Sequence, residues 1–572
     1  MTCGYENLAF QAIIPHSTLH TEFISMSWKI ISKLKAKLDA ESGMVTKKRG
    51  GSLCICLVYP NSYYAGMSNL GFQALYGLFN SYPDILCERA FLPDKSDIAE
   101  HLKSGTPLLS LESQKPLSDF DIIAFSVSFE MDYLNIPTIF KLSNIPSLSS
   151  ERSDYHPVVI AGGAAIFLNP EPVADFFDIA CIGEAEEILP SIIHIIRDIK
   201  LSKKWEFLSR FESVTGIYLP KRNDGSLEVS RAYAKSLDDF STTSLIHTPD
   251  TEFGDMYLIE LSRGCPRGCR FCAAGYIYLP YRQRSKDFVI SQVEDALNDN
   301  RKIGLVAAAV GDFRGVEAIC DQIMERHGKV SVSSLRIDGF RDEMLDLLVS
   351  SGHKTATLAP EGGSQRLRDF IKKGISKDQI IKACERLTER DILNIKLYFI
   401  IGLPTETDED IEEMTALVKQ IREVVIEKAR VNKRLGEITL SINPFIPKPF
   451  TPFQWCGMAP QKILEHRIKL LKKSIGNLPN ITIQVENLKD AMLQALISRG
   501  DRKMSTLILK SAETGSWKKA GKELRINIEE MVTRDIPLDE KLPWDFIEGN
   551  SKEVLLKEYR EAFEMRSAVR NL

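Results

Sequence analysis

The sequence predicts an α/β protein built in two blocks with a helical end, and three observations predict it. Short apolar runs at residues 53–58, 122–127, 158–160 and 179–182 are separated by amphipathic stretches, the pattern of buried parallel strands alternating with covering helices. A second alternating series starts near residue 256, with runs at 257–261, 305–310, 331–335, 355–358, 397–401 and 437–442. Six such strands over about 200 residues fit either a complete doubly wound sheet or an incomplete (β/α) barrel. From residue 461 the pattern is helical, closing in the amphipathic stretch 554–565.

In chain order, residues 1–50 are expected to be an extension or helical arm ending in the basic run Lys47, Lys48, Arg49. Residues 51–200 form the first α/β block, with a polar loop after each strand. Residues 201–250 are a connector with a hairpin candidate, 217–219 and 227–229 joined through Asn223, Asp224 and Gly225. Residues 251–456 make the second block, and residues 457–572 the helical region.

The 572 residues carry 73 Lys+Arg against 77 Asp+Glu, a net charge of −4, so nothing suggests a broad nucleic-acid surface. With 44% hydrophobic and 26% charged residues the chain is neither disordered nor fibrous. No apolar run reaches the ~18 residues of a membrane span, and the start lacks a secretory pattern, so a cytoplasmic location is expected.

Eleven cysteines, an odd and sparse count, fit a reducing compartment. Cys320 and Cys384 lie on apolar helical stripes, and Cys54 and Cys56 share one face of a strand, so these are expected in the core. Cys265, Cys269 and Cys272 differ. They form C-x3-C-x2-C just after a strand, in ELSRGCPRGCRFCAAGYIYLPYRQR at 260–284. A structural zinc site takes four ligands, usually as two pairs, and no second pair is visible. Three thiolates suit a [4Fe–4S] cluster with one iron left open for a substrate.

This triplet, with Phe271 before its last cysteine, resembles the radical S-adenosylmethionine (radical SAM) superfamily. The resemblance implies a partial (β/α)6 barrel in which Cys265, Cys269 and Cys272 hold three irons while SAM chelates the fourth. One electron then splits a carbon–sulfur bond and yields a 5′-deoxyadenosyl radical that abstracts hydrogen from substrate. It further implies a flavodoxin- or ferredoxin-type electron donor. The segment APEGGSQR at 359–366 resembles the part that holds the ribose and methionyl carboxylate, which points to Glu361, Ser364 and Arg366. FIIGLPTE at 399–406 resembles the adenine-binding strand end, with Gly402 and Glu406. Asp312, in AVGD, stands where the family often has Gly-Gly-Glu for the methionyl amine. Arg336 is placed either to pair with the SAM carboxylate or to form an ion pair with Asp338.

Residues 58–70, 161–187 and 443–455 resemble the subfamily in which a Rossmann-like, cobalamin-binding-like domain precedes the barrel. The loops GGAAIFLNPEP and GEAEE then point to Gly162, Gly163, Asn169, Gly183 and Glu184 as corrinoid contacts. The loop at 60–71 contains no histidine, so a corrinoid would be held by shape and backbone hydrogen bonds. Methylation through cobalamin is one expected activity. Cobalamin-independent modification of RNA or a ribosomal component, supported only by Lys448, Arg499, Arg502 and Lys503, is another, and a non-catalytic iron–sulfur protein is the third.

Overall fold

The structure is a computed structural model describing residues 26–47, 53–201, 203–223, 227–332, 335–432, 434–549 and 551–570. Its first sheet contains β1 (Leu53–Tyr59), β2 (Ile85–Phe91), β3 (Ile122–Ser126), β4 (Val158–Gly162), β5 (Ile179–Cys181) and β6 (Ile217–Tyr218), in the order β2-β1-β3-β4-β5-β6. β1 to β5 run parallel and β6 pairs antiparallel with β5. The order reverses around β1, as in a doubly wound sheet.

Strand β2 escapes sequence detection because Glu88 and Arg89 interrupt its apolar run, yet both are buried. Arg89 is neutralised by Glu41 (Nη2 to Oε2 2.6 Å) and Glu112 (Nε to Oε1 2.7 Å). Glu88 accepts hydrogen bonds from the hydroxyls of Ser110 and Ser113. Glu41 follows the helix Trp28–Asp39, so this part of the N-terminal arm is tied into the sheet. The expected hairpin does not form: Ile217–Tyr218 joins β5, while Val229 bridges to Ile547. Its turn at 224–226 lies outside the described residues.

The second block holds β7 (Tyr257–Glu260), a short ladder of β8 (Ser262–Arg263) with β9 (Arg282–Gln283), then β10 (Ile303–Val306), β11 (Val330–Val332), β12 (Thr355–Glu361), β13 (Asn394–Ile401), β14 (Ile438–Pro444) and β15 (Ile481–Val485). One parallel sheet has the order β11-β10-β7, the other β12-β13-β14-β15. Strand order follows chain order in both, without the reversal a doubly wound sheet needs, which is the succession of strands in a (β/α) barrel. β15 is a correction, because residues from 461 onward were expected to be helical. It is a half-exposed edge strand between the helices Gln461–Ile475 and Leu488–Arg499, and its alternating Ile481, Ile483 and Val485, which pack on the core, are a strand signal set between two helical patterns.

Beyond β15 the chain is helical as expected, ending in the helix Lys552–Arg570. Ser376 and Gln379 form the expected capping box, and Cys320, Cys384 and Cys56 are buried. One hydrophobic core runs through the first sheet, the barrel and the C-terminal helices, including Phe125, Leu397 and Trp544. Among the described residues no helix is long and apolar enough to cross a membrane.

Candidate active site

The three cysteines lie on a loop that leaves β8 and returns through β9, closed at its foot by the pairs Ser262 with Gln283 and Arg263 with Arg282. Gly264 opens the loop at φ +82°, where a Cβ would sit 2.8 Å from the Tyr278 carbonyl oxygen, so the turn requires glycine. The backbone N–H of Arg267 donates to the Cys265 sulfur and that of Ala274 to the Cys272 sulfur. Burial pushes the Cys265 thiol up, and pushes Cys272 up to about 11. Cys269 is buried, and its carbonyl accepts from the Cys272 N–H at 3.1 Å.

Arg270, inside the triplet, clamps the loop to the rest of the barrel. Its N–H donates to the Ile371 carbonyl (3.0 Å) and its Nη1 to that of Phe370 (2.8 Å), while its own carbonyl accepts from the Phe453 N–H (3.2 Å). Its Nε reaches Glu558 of the last helix at 3.2 Å.

Among the described residues, no three His, Cys, Asp or Glu side chains converge on a single-ion position. The thiols are still close enough for each of Cys265 and Cys269 to raise Cys272. A four-iron cluster takes each thiolate on a different iron, so convergence on one point is not needed.

Several expected residues gather here. Glu361, at the end of β12 with φ +64°, helps hold the Cys272 thiol up, and receives Lys373 Nζ at 3.3 Å. Asp312 and Arg336 both act on Cys265, in opposite directions. Asp312 is gripped by Arg267 (Nε to Oδ2 3.0 Å, Nη2 to Oδ1 2.7 Å), so its carboxylate is already engaged. Arg336 pairs with Asp338 (Nε to Oδ1 2.9 Å), the second of its two sequence readings, and also reaches the Lys373 carbonyl at 3.4 Å. Phe271 packs on an apolar cluster formed by Phe370, Ile400, Leu403, Phe445 and Phe453.

Others serve the local architecture. Ser364 caps the helix Gln365–Phe370, accepting from the Leu367 N–H at 3.1 Å, and donates to Asp410 at 2.5 Å. Arg366 is held by Asp410 and Thr405. Gly402 has φ +78°, and a Cβ there would lie 2.6 Å from Leu464, so its glycine is required by the helix Gln461–Ile475. Glu406 accepts from the Gly402 N–H (2.5 Å) and from Arg467 Nη1 (2.7 Å). Its Oε1 has no partner among the described residues, and burial pushes its carboxyl up to about 7 against the pull of Arg467. Sequence reading missed Arg267, Arg270, Lys373, Asp410 and Arg467. The first two stand inside the cysteine motif itself, and the others carry no local signal.

The five residues expected around a corrinoid are each engaged by the protein itself. A Cβ on Gly163 would sit 2.4 Å from the Val127 carbonyl oxygen and one on Gly183 2.1 Å from that of Ala232; Gly162 faces Cys181. The Asn169 amide donates to the Ser498 (3.1 Å) and Gly500 (2.8 Å) carbonyls and its Oδ1 accepts from the Glu171 N–H (3.2 Å). Glu184 accepts from Arg282 (2.6 and 2.9 Å) and from the Ala234 N–H (2.9 Å). These strand-end loops are spent on packing against the connector, barrel and C-terminal helices.

Residues 71–220 match the family described as radical SAM proteins, N-terminal, and residues 259–418 match the radical SAM superfamily. An uncharacterized protein of Methanocaldococcus jannaschii is 31% identical over 462 residues, covering 79% of this chain and 89% of that one. The tRNA-2-methylthio-N(6)-dimethylallyladenosine synthase of Methylococcus capsulatus is 25% identical over 40% of this chain, which spans only 54% of that enzyme. A solved structure of the cobalamin-dependent S-adenosylmethionine radical enzyme OxsB, with aqua-cobalamin and S-adenosylmethionine bound, aligns over 91% of this chain and 80% of its own at 15% identity and a TM-score of 0.47.

Proposed function

This chain belongs to the radical SAM superfamily, and from that premise we propose that it cleaves SAM reductively at a [4Fe–4S] cluster held by Cys265, Cys269 and Cys272. The observation that carries the reading is the cysteine loop. Three thiols share one turn closed by the β8–β9 ladder, Cys269 buried and Cys265 and Cys272 half-buried, close enough for the other two to act on Cys272, and two of the sulfurs receive backbone N–H groups. These donors pull both sulfurs toward the charged form that binds iron, against the burial that raises the free thiols. When bound, the cluster supplies one electron that breaks a carbon–sulfur bond of SAM, giving methionine and a 5′-deoxyadenosyl radical for hydrogen abstraction.

The residues around the loop would orient SAM. Arg336, beside Cys265, would share its guanidinium between Asp338 and the methionyl carboxylate, and Glu361, beside Cys272, would face the ribose and methionyl end of SAM while keeping Lys373 as its partner. Phe271, half-buried on the packed cluster of Phe445, Phe453, Ile400 and Leu403, would give the adenine an aromatic face. Arg270 keeps the loop in place and, with Phe453, closes it against water. A flavodoxin- or ferredoxin-type protein would deliver the electron. The loop residues expected around a corrinoid are engaged within the protein, so any corrinoid would be held by other groups of the first sheet's strand ends. The tRNA substrate named for the Methylococcus relative supports RNA as the substrate class to test first.

The test is anaerobic incubation of reconstituted protein with SAM and dithionite. The reading expects 5′-deoxyadenosine to form, and to be lost when Cys265, Cys269 and Cys272 are all alanine.

A further inference from the structure

The foot of the cysteine loop places two arginines directly opposite each other, Arg263 on β8 and Arg282 on β9. Like charges across a ladder repel, and both side chains are largely shielded from water, at 11% and 8% exposure. The carboxylate between them comes from the other sheet. Glu184, after β5, binds Arg282 through both oxygens (2.6 and 2.9 Å) and Arg263 through Oε2 (3.1 Å). Arg263 is completed by Glu260 (2.9 Å) and Glu186 (2.7 Å), and Arg284 by Glu260 (2.8 Å). Three acids and these three arginines thus pair in one shielded cluster, with buried Arg231 also in the field of Glu184, and its Arg263 stands two residues before Cys265.

We propose that Glu184 is a positioning residue for the cysteine loop, so that the N-terminal sheet fixes the geometry of the barrel's metal-binding turn through Arg263 and Arg282. The claim about a cluster rests on the function proposed above; the claim about the loop does not. Glu184→Gln keeps the size and one acceptor but leaves three buried arginines against two acids. Arg282→Gln cuts the same tether from its other end and also gives up that side chain's contacts to the Pro280, Ala234 and Tyr278 carbonyls, so Glu184→Gln made on that background should add less than it does alone.

The experiment uses the full chain and two readouts. In cluster-free protein, Glu184→Gln should raise amide hydrogen exchange across residues 264–281 by about tenfold while β1 stays protected, the same change made on an Arg282→Gln background should add about threefold or less, and Asn169→Ala, which loosens a different contact of the same domain, should leave 264–281 unchanged. In reconstituted protein, Glu184→Gln should release iron to a chelator about tenfold faster and shift the electron paramagnetic resonance g values of the reduced cluster, again with the smaller effect on the Arg282→Gln background. Unchanged exchange at 264–281 in Glu184→Gln, equal loosening by Asn169→Ala, or a full tenfold effect of Glu184→Gln on the Arg282→Gln background would overturn the proposal. A wild-type protein that assembles no four-iron cluster would refute the function while the exchange measurement still decides the role of Glu184.

Discussion

Arg267 grips Asp312 through two guanidinium nitrogens, at 3.0 and 2.7 Å, while its own backbone N–H donates to the sulfur of Cys265. One residue therefore ties the first cysteine to the strand end that carries Asp312. Asp312→Asn should leave the cluster able to form but speed iron release to a chelator by about two- to fivefold, the size expected of a partly exposed pair worth ~0.5–1 kcal/mol. Arg267 keeps Asp338 at 3.2 Å, which limits the effect.

Gly402 predicts a packing defect. A Cβ at φ +78° would be 2.6 Å from Leu464 and 3.0 Å from Ala459. Gly402→Ala should lower stability by about 2–3 kcal/mol through left-handed strain and overpacking, read as a fall in melting temperature. Adding Leu464→Ala should recover the packing share without recovering the strain.

Glu406 gives a pH signature. Burial holds its carboxyl up at about 7 in the folded chain, against an ordinary 4.5. Between those values the folded protein keeps a proton that the unfolded chain has released, so this group's contribution falls as pH rises from 4.5 to 7. Glu406→Gln is neutral throughout. Its stability relative to wild type should rise across that window by on the order of 2 kcal/mol, measured as the difference in melting temperature at about pH 5 and about pH 7.5.

Arg89 should be needed for the first sheet. Its side chain and that of Glu41 are fully buried, with Glu112 close behind. Arg89→Met strands two carboxylates and should destabilise the sheet by about 3–5 kcal/mol. Replacing Glu41 and Glu112 by Gln in the same chain should restore most of the loss, followed by thermal melting.

The alternation of apolar runs made both blocks legible, because most of their strands are buried on two faces and carry no interrupting charge. β2 was hidden by Glu88 and Arg89, whose neutralising partners are 20 or more residues away in Ser110, Glu112 and Glu41. β15 is legible in the alternation of Ile481, Ile483 and Val485, but this short strand sits between two helical patterns that mask it. The cysteine triplet was legible from spacing alone. The grip of Arg267 on Asp312, the support of Glu406 by Arg467 and the span from Glu184 to Arg263 join segments 45 to about 80 residues apart, and no local pattern encodes them.

The most direct test of the central claim is a paired measurement on anaerobically reconstituted full chain: iron and sulfide content, and 5′-deoxyadenosine formed from SAM under reducing conditions. The account predicts about four irons and four sulfides per chain with 5′-deoxyadenosine produced, and both lost when Cys265, Cys269 and Cys272 are changed to alanine. A full cluster retained in that triple variant, or a wild-type cluster that never cleaves SAM, would contradict it.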